Sequence, residues 1–254
     1  MAAELAAFVG EVEDAVGSEH VEQVSTSVTT VSSGASGRDG VEPAPRFPVV
    51  RSGGRSSDAR LLFAVHGYAR DPWAVLQLAE LVDPGGRFAH VAPRGPHPGG
   101  DGASFYRVDF VTRTLDEASF VEALGTLGRT FDAVCADGGF DPAAAVLFGF
   151  SQGAGLALAL AFGRSDRPPP AAVVALSGPL HPAHRVDWDD ARARDVAVFL
   201  AHGDHDPIFD PGQRRAAAER FAAAGAQVTE RTYPFGHEVS TEELSEVREW
   251  LAGR

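Results

Sequence analysis

Residues 144 to 162 read Ala-Ala-Val-Leu-Phe-Gly-Phe-Ser-Gln-Gly-Ala-Gly-Leu-Ala-Leu-Ala-Leu-Ala-Phe. The run Ala144 to Phe148 is short and apolar, the pattern of a parallel strand buried on both faces. The run Gln152 to Phe162 is apolar all round, the pattern of a buried helix. Between them stands the pentapeptide Gly149-Phe-Ser-Gln-Gly153, a G-x-S-x-G sequence in the context of strand, turn and helix. Such a turn is strained, and it lifts the Ser151 hydroxyl above the sheet. Side chains at positions 149 and 153 would collide with neighbouring elements, which accounts for the glycines. The helix that follows aims its positive end at the same place, where an oxyanion would be favoured. No lysine follows the glycines, so a phosphate-binding P-loop is excluded.

The same alternation extends outward. Leu61 to Val65, Phe88 to Ala92, Ala171 to Leu176, Val196 to Ala201 and Gln227 to Tyr233 read as further strands. Helices are expected after Asp71-Pro72, through Trp73, Leu76, Leu78 and Leu81, and over Leu115 to Ala136. Two more are expected over Gly212 to Ala224 and from Ser240 to about Leu251, the last opened by a Ser240/Glu243 capping box. Strands alternating with helices imply an α/β fold with a mostly parallel sheet and helices on both faces. Ligands bind such sheets beyond the carboxyl ends of the strands. A Gly/Pro-rich loop runs from Pro93 to about Ser104.

Residues 1–45 differ in character from residues 46–254, and are read as an N-terminal extension to one catalytic domain. Leu5, Phe8, Val9, Val12 and Val16 give helical spacing over residues 2–16. Val24 to Ser32 has strand propensity, and Ser33 to Gly40 reads as a loop. Edge elements packed on the main body and a partly disordered tail are both compatible with this composition.

The formal net charge is −13, and every basic residue is arginine. An acidic surface repels phosphate backbones, so nucleic acid is not expected as a partner. The acidity itself is read as genome composition or a salty environment rather than as a functional device. One cysteine, Cys135, excludes an internal disulfide. No apolar stretch is long enough to span a bilayer. The start lacks a basic region of the secretory kind, so a cytoplasmic location is expected. A homodimer contact through the N-terminal helix stays open.

A serine at such an elbow calls for an acid and then a base later in the chain. His202-Gly-Asp-His-Asp-Pro207 follows a strand and offers Asp204 and Asp206. Asp206 is preferred, because Pro207 favours an extended conformation that holds its side chain fixed. His202, Asp204, His205 and Asp206 could also suggest a zinc loop, but the triad explains the segment more economically, and no metal or other cofactor is expected. His237, beside Gly236 and just before the last helix, is the expected base. His20, His90, His97, His181, His184 and His205 are read mostly as solvated surface residues. Val65-His66-Gly67-Tyr68 follows the first strong strand. The backbone N–H groups of Tyr68 and Gln152 are expected to form an oxyanion hole, with His66 bracing the loop.

Taken in order, His66-Gly67, Ala92-Pro-Arg-Gly-Pro96, Gly149-Phe-Ser-Gln-Gly153, Ala175-Leu-Ser-Gly178, His202-Gly…Asp206-Pro207 and Gly236-His237 resemble the phospholipase/carboxylesterase family of the α/β-hydrolase fold. This family includes bacterial carboxylesterases and acyl-protein thioesterases. The resemblance covers roughly Phe47 to Leu251. It implies cofactor-free hydrolysis of short to medium acyl esters or thioesters, with a small-molecule ester as the substrate. Phe105-Tyr106 stands where the family usually carries Trp-Phe. Residues of the Pro93 to Tyr106 loop, Phe105 and Tyr106 among them, together with Leu180 and Ile208, are candidate pocket walls, with ordinary loop packing as the alternative. Gly178 to Val196 leaves little room for a large lid. A thioesterase, an acyltransferase and a catalytically silent binding module on the same fold are the competing readings.

His237 acts as a base only when neutral. The rate should therefore rise with pH across the range in which an imidazole loses its proton. A pH–rate profile checks this, and a rate that falls across that range argues against His237.

Overall fold

The computed structural model describes residues 44–54, 58–100, 102–109, 111–112, 114–181 and 185–254. The elements expected over residues 2–16, 24–32 and 33–40 lie outside these residues. In chain order the strands are β1 (Val49–Gly53), β2 (Arg60–Val65), β3 (Phe88–Pro93), β4 (His97–Gly99), β5 (Gly102–Ser104), β6 (Val108–Asp109), β7 (Thr114–Leu115), β8 (Val146–Phe150), β9 (Ala172–Leu176), β10 (Ala197–Gly203) and β11 (Gln227–Tyr233). The α-helices are α1 (Pro72–Val82), α2 (Glu117–Gly138), α3 (Gln152–Phe162), α4 (Pro211–Ala223) and α5 (Thr241–Ala252).

Seven strands form the main sheet in the order β1-β3-β2-β8-β9-β10-β11. All its neighbours pair in parallel except β1, which runs antiparallel along β3. The elbow strand β8 therefore sits at the centre. Helices cover both faces, so inward and outward side chains of the same strand are both apolar. Phe63, Leu147, Val173 and Val198 face one layer, against Phe120, Leu127 and Phe131 of α2, Leu156 and Leu160 of α3, and Phe221 of α4. Leu62, Phe148, Val174 and Phe199 face the other, against Val75, Leu76 and Ala79 of α1 and Leu244, Val247 and Leu251 of α5. Every residue of α3 is buried, as its unbroken apolar run requires.

Local chemistry sets the helix ends. Asp71 caps α1 by accepting the Trp73 N–H at 2.9 Å, with Pro72 opening the helix. Asp116 caps α2, which ends on Gly139 in the left-handed region. At the amino end of β3, the buried Asp83 accepts from the backbone N–H groups of Arg87 and Phe88 and from His90 Nε2. This knot ties the turn after α1 to the strand.

The sequence reading differs from the structure in three places. The strand expected over 144–148 is displaced, because Pro142–Ala144 forms a 3-10 turn and β8 runs to Phe150. The Gly/Pro loop contains the β4–β5 hairpin, and β6–β7 follows it as a second short ribbon. His90 and His181 are buried rather than solvated.

α5 opens with the expected capping box: Ser240 Oγ accepts the Glu243 N–H at 3.1 Å, and Glu243 Oε2 accepts the Ser240 N–H at 3.4 Å. Glu243 is wholly buried, and its Oε1 has no hydrogen-bond partner. Burial pushes this carboxyl up to about 8, with the Glu246 charge adding to the effect and the Ser240 N–H opposing it. The folded chain therefore holds a proton that the unfolded chain releases near 4.5. Stability contributed by this group is lost as pH rises between those values. Glu243→Gln keeps the cap and removes the charge. It should raise stability at pH 8 by at least about 1 kcal/mol more than at pH 5, read by urea unfolding at both pH values.

Candidate active site

The elbow is set by backbone packing. A side chain at Gly153 would strike the Val65 and His66 carbonyls, and one at Gly149 would strike the Gly153 carbonyl. With both positions bare, β8 and α3 meet closely, and Ser151 takes φ 54° and ψ −119°. Strain of this kind costs on the order of 1–3 kcal/mol and persists only where surrounding contacts enforce it. Here the Ser151 N–H donates to the Leu176 carbonyl at 2.9 Å, tying the turn to β9. The hydroxyl makes no capping bond to α3, although Ser151 occupies the N-cap position. It is directed elsewhere: Ser151 Oγ lies 2.8 Å from His237 Nε2.

His237 Nδ1 lies 2.8 Å from Asp206 Oδ2. With a carboxylate at Nδ1, that nitrogen carries the proton and donates, which leaves Nε2 to accept from the serine hydroxyl. The imidazole is flanked by Phe150 and Phe209, with ring centroids at 5.1 Å and 5.5 Å. Asp206 Oδ1 accepts the backbone N–H groups of Ile208 at 2.8 Å and Phe209 at 3.1 Å. Burial works against the Asp206 charge. His237 and these two N–H groups outweigh it and hold the carboxyl below the usual carboxylate range. Asp206 thus stands on the histidine, while the neighbouring Asp204 is exposed and its N–H donates to the Tyr233 carbonyl. The loops that carry Asp206 and His237 follow the paired strands β10 and β11, where Gly203 stands opposite Tyr233.

The loop after β2 reaches the elbow at Gly67, where a methyl group would come within 3.2 Å of the Phe150 ring and 3.5 Å of the Ser151 Cβ. His66 is buried beneath it. Its Nδ1–H donates to the Gly67 carbonyl at 2.8 Å, and its Nε2 accepts the Gly95 N–H at 3.1 Å. One neutral tautomer satisfies both bonds. Burial pushes the imidazole down to about 4, which keeps it in that form at neutral pH. His66 therefore joins the Tyr68 loop to the Gly/Pro loop, in keeping with the bracing role expected for it.

Two of the candidate pocket walls lie in the core. Phe105 is fully buried, tilted against the His66 ring at 4.4 Å and edge-on to Phe47 at 5.4 Å. Tyr106 is buried against Phe120, with its hydroxyl 3.4 Å from His181 Nε2. What this pair presents to the elbow is its backbone, which meets the Gln152 side chain: Phe105 N–H donates to Gln152 Oε1 at 2.8 Å, and Gln152 Nε2 donates to the Tyr106 carbonyl at 2.9 Å. Leu180 is half-buried and packs on the same core, while Ile208 is exposed beside Asp206. The Gln152 side chain was not among the side chains singled out in the sequence. The signal was there: one amide at the head of an otherwise wholly apolar helix.

A central parallel sheet, helices on both faces and a strand–serine–helix elbow on the middle strand define an α/β-hydrolase. Residues 46–253 match the model of the family described as Phospholipase/Carboxylesterase, and the chain belongs to that family of hydrolases. Its fold is similar to that of the carboxylesterase from Bacillus cereus, at 23% identity over 82% of this chain and 94% of that one, with a TM-score of 0.70. It is also similar to a carboxylesterase from Mesorhizobium loti, at 22% identity over 84% and 97% of the two chains, with a TM-score of 0.71. Esterase PE8 gives 22% identity over 82% and 98%, with a TM-score of 0.69. No helix among the described residues is long and apolar enough to cross a membrane.

Asp206→Asn leaves a neutral group at His237 Nδ1 and favours the wrong imidazole tautomer. It should lower kcat by roughly 10³–10⁴-fold, judged by steady-state kinetics, while circular dichroism stays that of the wild type.

Proposed function

We propose that the chain is a serine carboxylesterase acting on short to medium acyl esters, with Ser151 as nucleophile, His237 as base and Asp206 as the orienting acid. The observation that carries this reading is the continuous hydrogen-bonded line from Ser151 Oγ through His237 to Asp206, both contacts at 2.8 Å. It stands beyond the carboxyl ends of the strands, where ligands of such sheets bind.

In the acylation step Ser151 Oγ attacks the ester carbonyl and passes its proton to His237 Nε2. Asp206 stabilises the imidazolium that results. The carbonyl oxygen becomes an oxyanion, received by the backbone N–H groups of Tyr68 and Gln152. Each such donor is worth about 3–4 kcal/mol to the transition state. The bond to the leaving alcohol breaks, and His237 returns the proton to that alcohol. Water then repeats the sequence on the acyl-enzyme, and the carboxylic acid leaves. The first proton movement, from Ser151 Oγ to His237 Nε2, runs along a contact already made. Hydrolysis of oxygen esters is the reading that the family and the esterase-like fold both favour.

Hydrolysis of p-nitrophenyl esters from acetate to palmitate, compared between wild type and Ser151→Ala, tests the proposal. The wild type should hydrolyse the short esters, and the variant should lose activity by a factor of about 10³ or more. A variant that retains wild-type activity removes Ser151 from the mechanism. Wild-type inactivity on every oxygen ester, with turnover of acyl thioesters, moves the reading to a thioesterase. A chain that also resists labelling by a fluorophosphonate is a binding module.

A further inference from the structure

Gln152 contributes more to its surroundings than a main-chain N–H. Its residue is 4% exposed, and both polar atoms of the amide are used. The oxygen accepts from Phe105 and the nitrogen donates to Tyr106, the next residue of one segment. An amide is the side chain suited to this, since it offers one acceptor and one donor side by side. The same segment is fastened at its other end. Ser104 Oγ accepts the Ala69 N–H at 2.9 Å. Arg70 and Ala103 exchange two backbone bonds, of 3.1 Å and 3.0 Å. Ala69, a non-glycine residue, is held at φ 54° at this junction.

Residues 103–106 thus form a brace. One end grips the backbone immediately after Tyr68, and the other grips the side chain of the residue that follows the nucleophile. These are the two residues whose N–H groups would receive the oxyanion. Gln152 is also the first residue of α3, where the backbone N–H has no partner within the helix and is free to face a ligand. Donors of this kind accelerate a reaction only when they are already aimed at the position the charge will occupy. Displacements beyond about 0.5 Å are enough to spoil such a site.

We propose that the Gln152 side chain and the Ser104 hydroxyl are positioning groups that fix the separation of the two oxyanion donors through the 103–106 segment. This inference rests on the serine-esterase reading above. It assigns a role in the rate to side chains that touch neither the substrate nor the reacting atoms.

Three variants test it, assayed on the shortest p-nitrophenyl ester the wild type hydrolyses and on a trifluoromethyl ketone that mimics the tetrahedral adduct. Gln152→Met keeps the length and loses both bonds. It should lower kcat about 10–100-fold with KM changed by less than about 3-fold, and weaken ketone binding by a similar factor to kcat/KM. Ser104→Ala should do the same to a smaller degree. Gln152→Glu supplies the distinguishing measurement. A protonated carboxyl reproduces both bonds, whereas a carboxylate loses the donor and sets a negative charge beside the developing oxyanion. The ratio of Gln152→Glu activity to wild-type activity, read only at pH values where urea unfolding shows the variant fully folded, should therefore rise as pH falls, a trend that loss of fold does not produce under that condition. If Gln152→Met does not fold, the other two variants decide the matter alone. Unchanged kcat and ketone affinity in the folded variants, or a flat activity ratio across pH, overturns the proposal. If Ser151→Ala is dead while these variants behave as wild type, only the positioning role fails. If Ser151→Ala is active, the esterase reading fails with it.

Discussion

The carbonyl groups of Val65 and His66 lie against the backbone of Gly153, too close for any side chain at that position. This contact brings the loop after β2 up to the start of α3, and much else follows from it. It places β8 and β2 side by side with a helix emerging directly over them. It forces the turn at Ser151 into a conformation that few residues tolerate. It also leaves the serine hydroxyl with no partner in its own helix. A glycine is required because the stabilisation comes from backbone meeting backbone, which a methyl group would hold apart.

Around that contact the site is assembled from groups of different origin. Ser151 belongs to the centre of the sheet, braced by β9 through the Leu176 carbonyl. Asp206 and His237 belong to loops beyond β10 and β11, whose parallel register sets Gly203 opposite Tyr233. Both loops are drawn together by the backbone bonds from Asp204 to Tyr233 and from His205 to Phe235. The aromatic rings of Phe150 and Phe209 then limit the rotation of His237. Strain at one residue and order at the others are thus held by packing that extends well beyond the reacting atoms.

Much of this was legible in the chain itself. The elbow is a local pattern, and its three parts carry independent signals of periodicity and glycine placement. Asp206 could be preferred over Asp204 because proline acts on its immediate neighbour, a local effect. The capping box of α5 is likewise written within four residues. What stayed hidden depends on contacts distant in sequence. Nothing near Val49 says that β1 will run antiparallel along β3. The hairpin β4–β5 rests on pairings with Arg70 that a glycine-rich composition does not announce. His90 and His181 are buried because distant segments close over them, so their polarity misleads when each is read alone. Phe105 and Tyr106 mislead in the opposite way: aromatic residues beside a site look like pocket walls until the core claims their rings.

The register of the outer strands has a further meaning for how the molecule comes apart. Among the described residues β11 is hydrogen-bonded on one side only, whereas β8 is bonded on both. The histidine therefore hangs from the least supported margin of the sheet, and the serine from its most supported line. Opening confined to that margin requires fewer broken bonds than opening the centre. It carries the imidazole away from a serine turn that is still intact. The Ser151 hydroxyl and the imidazole bonded to it thus belong to regions of unequal permanence, and the pairing of the two is less durable than the fold that presents them.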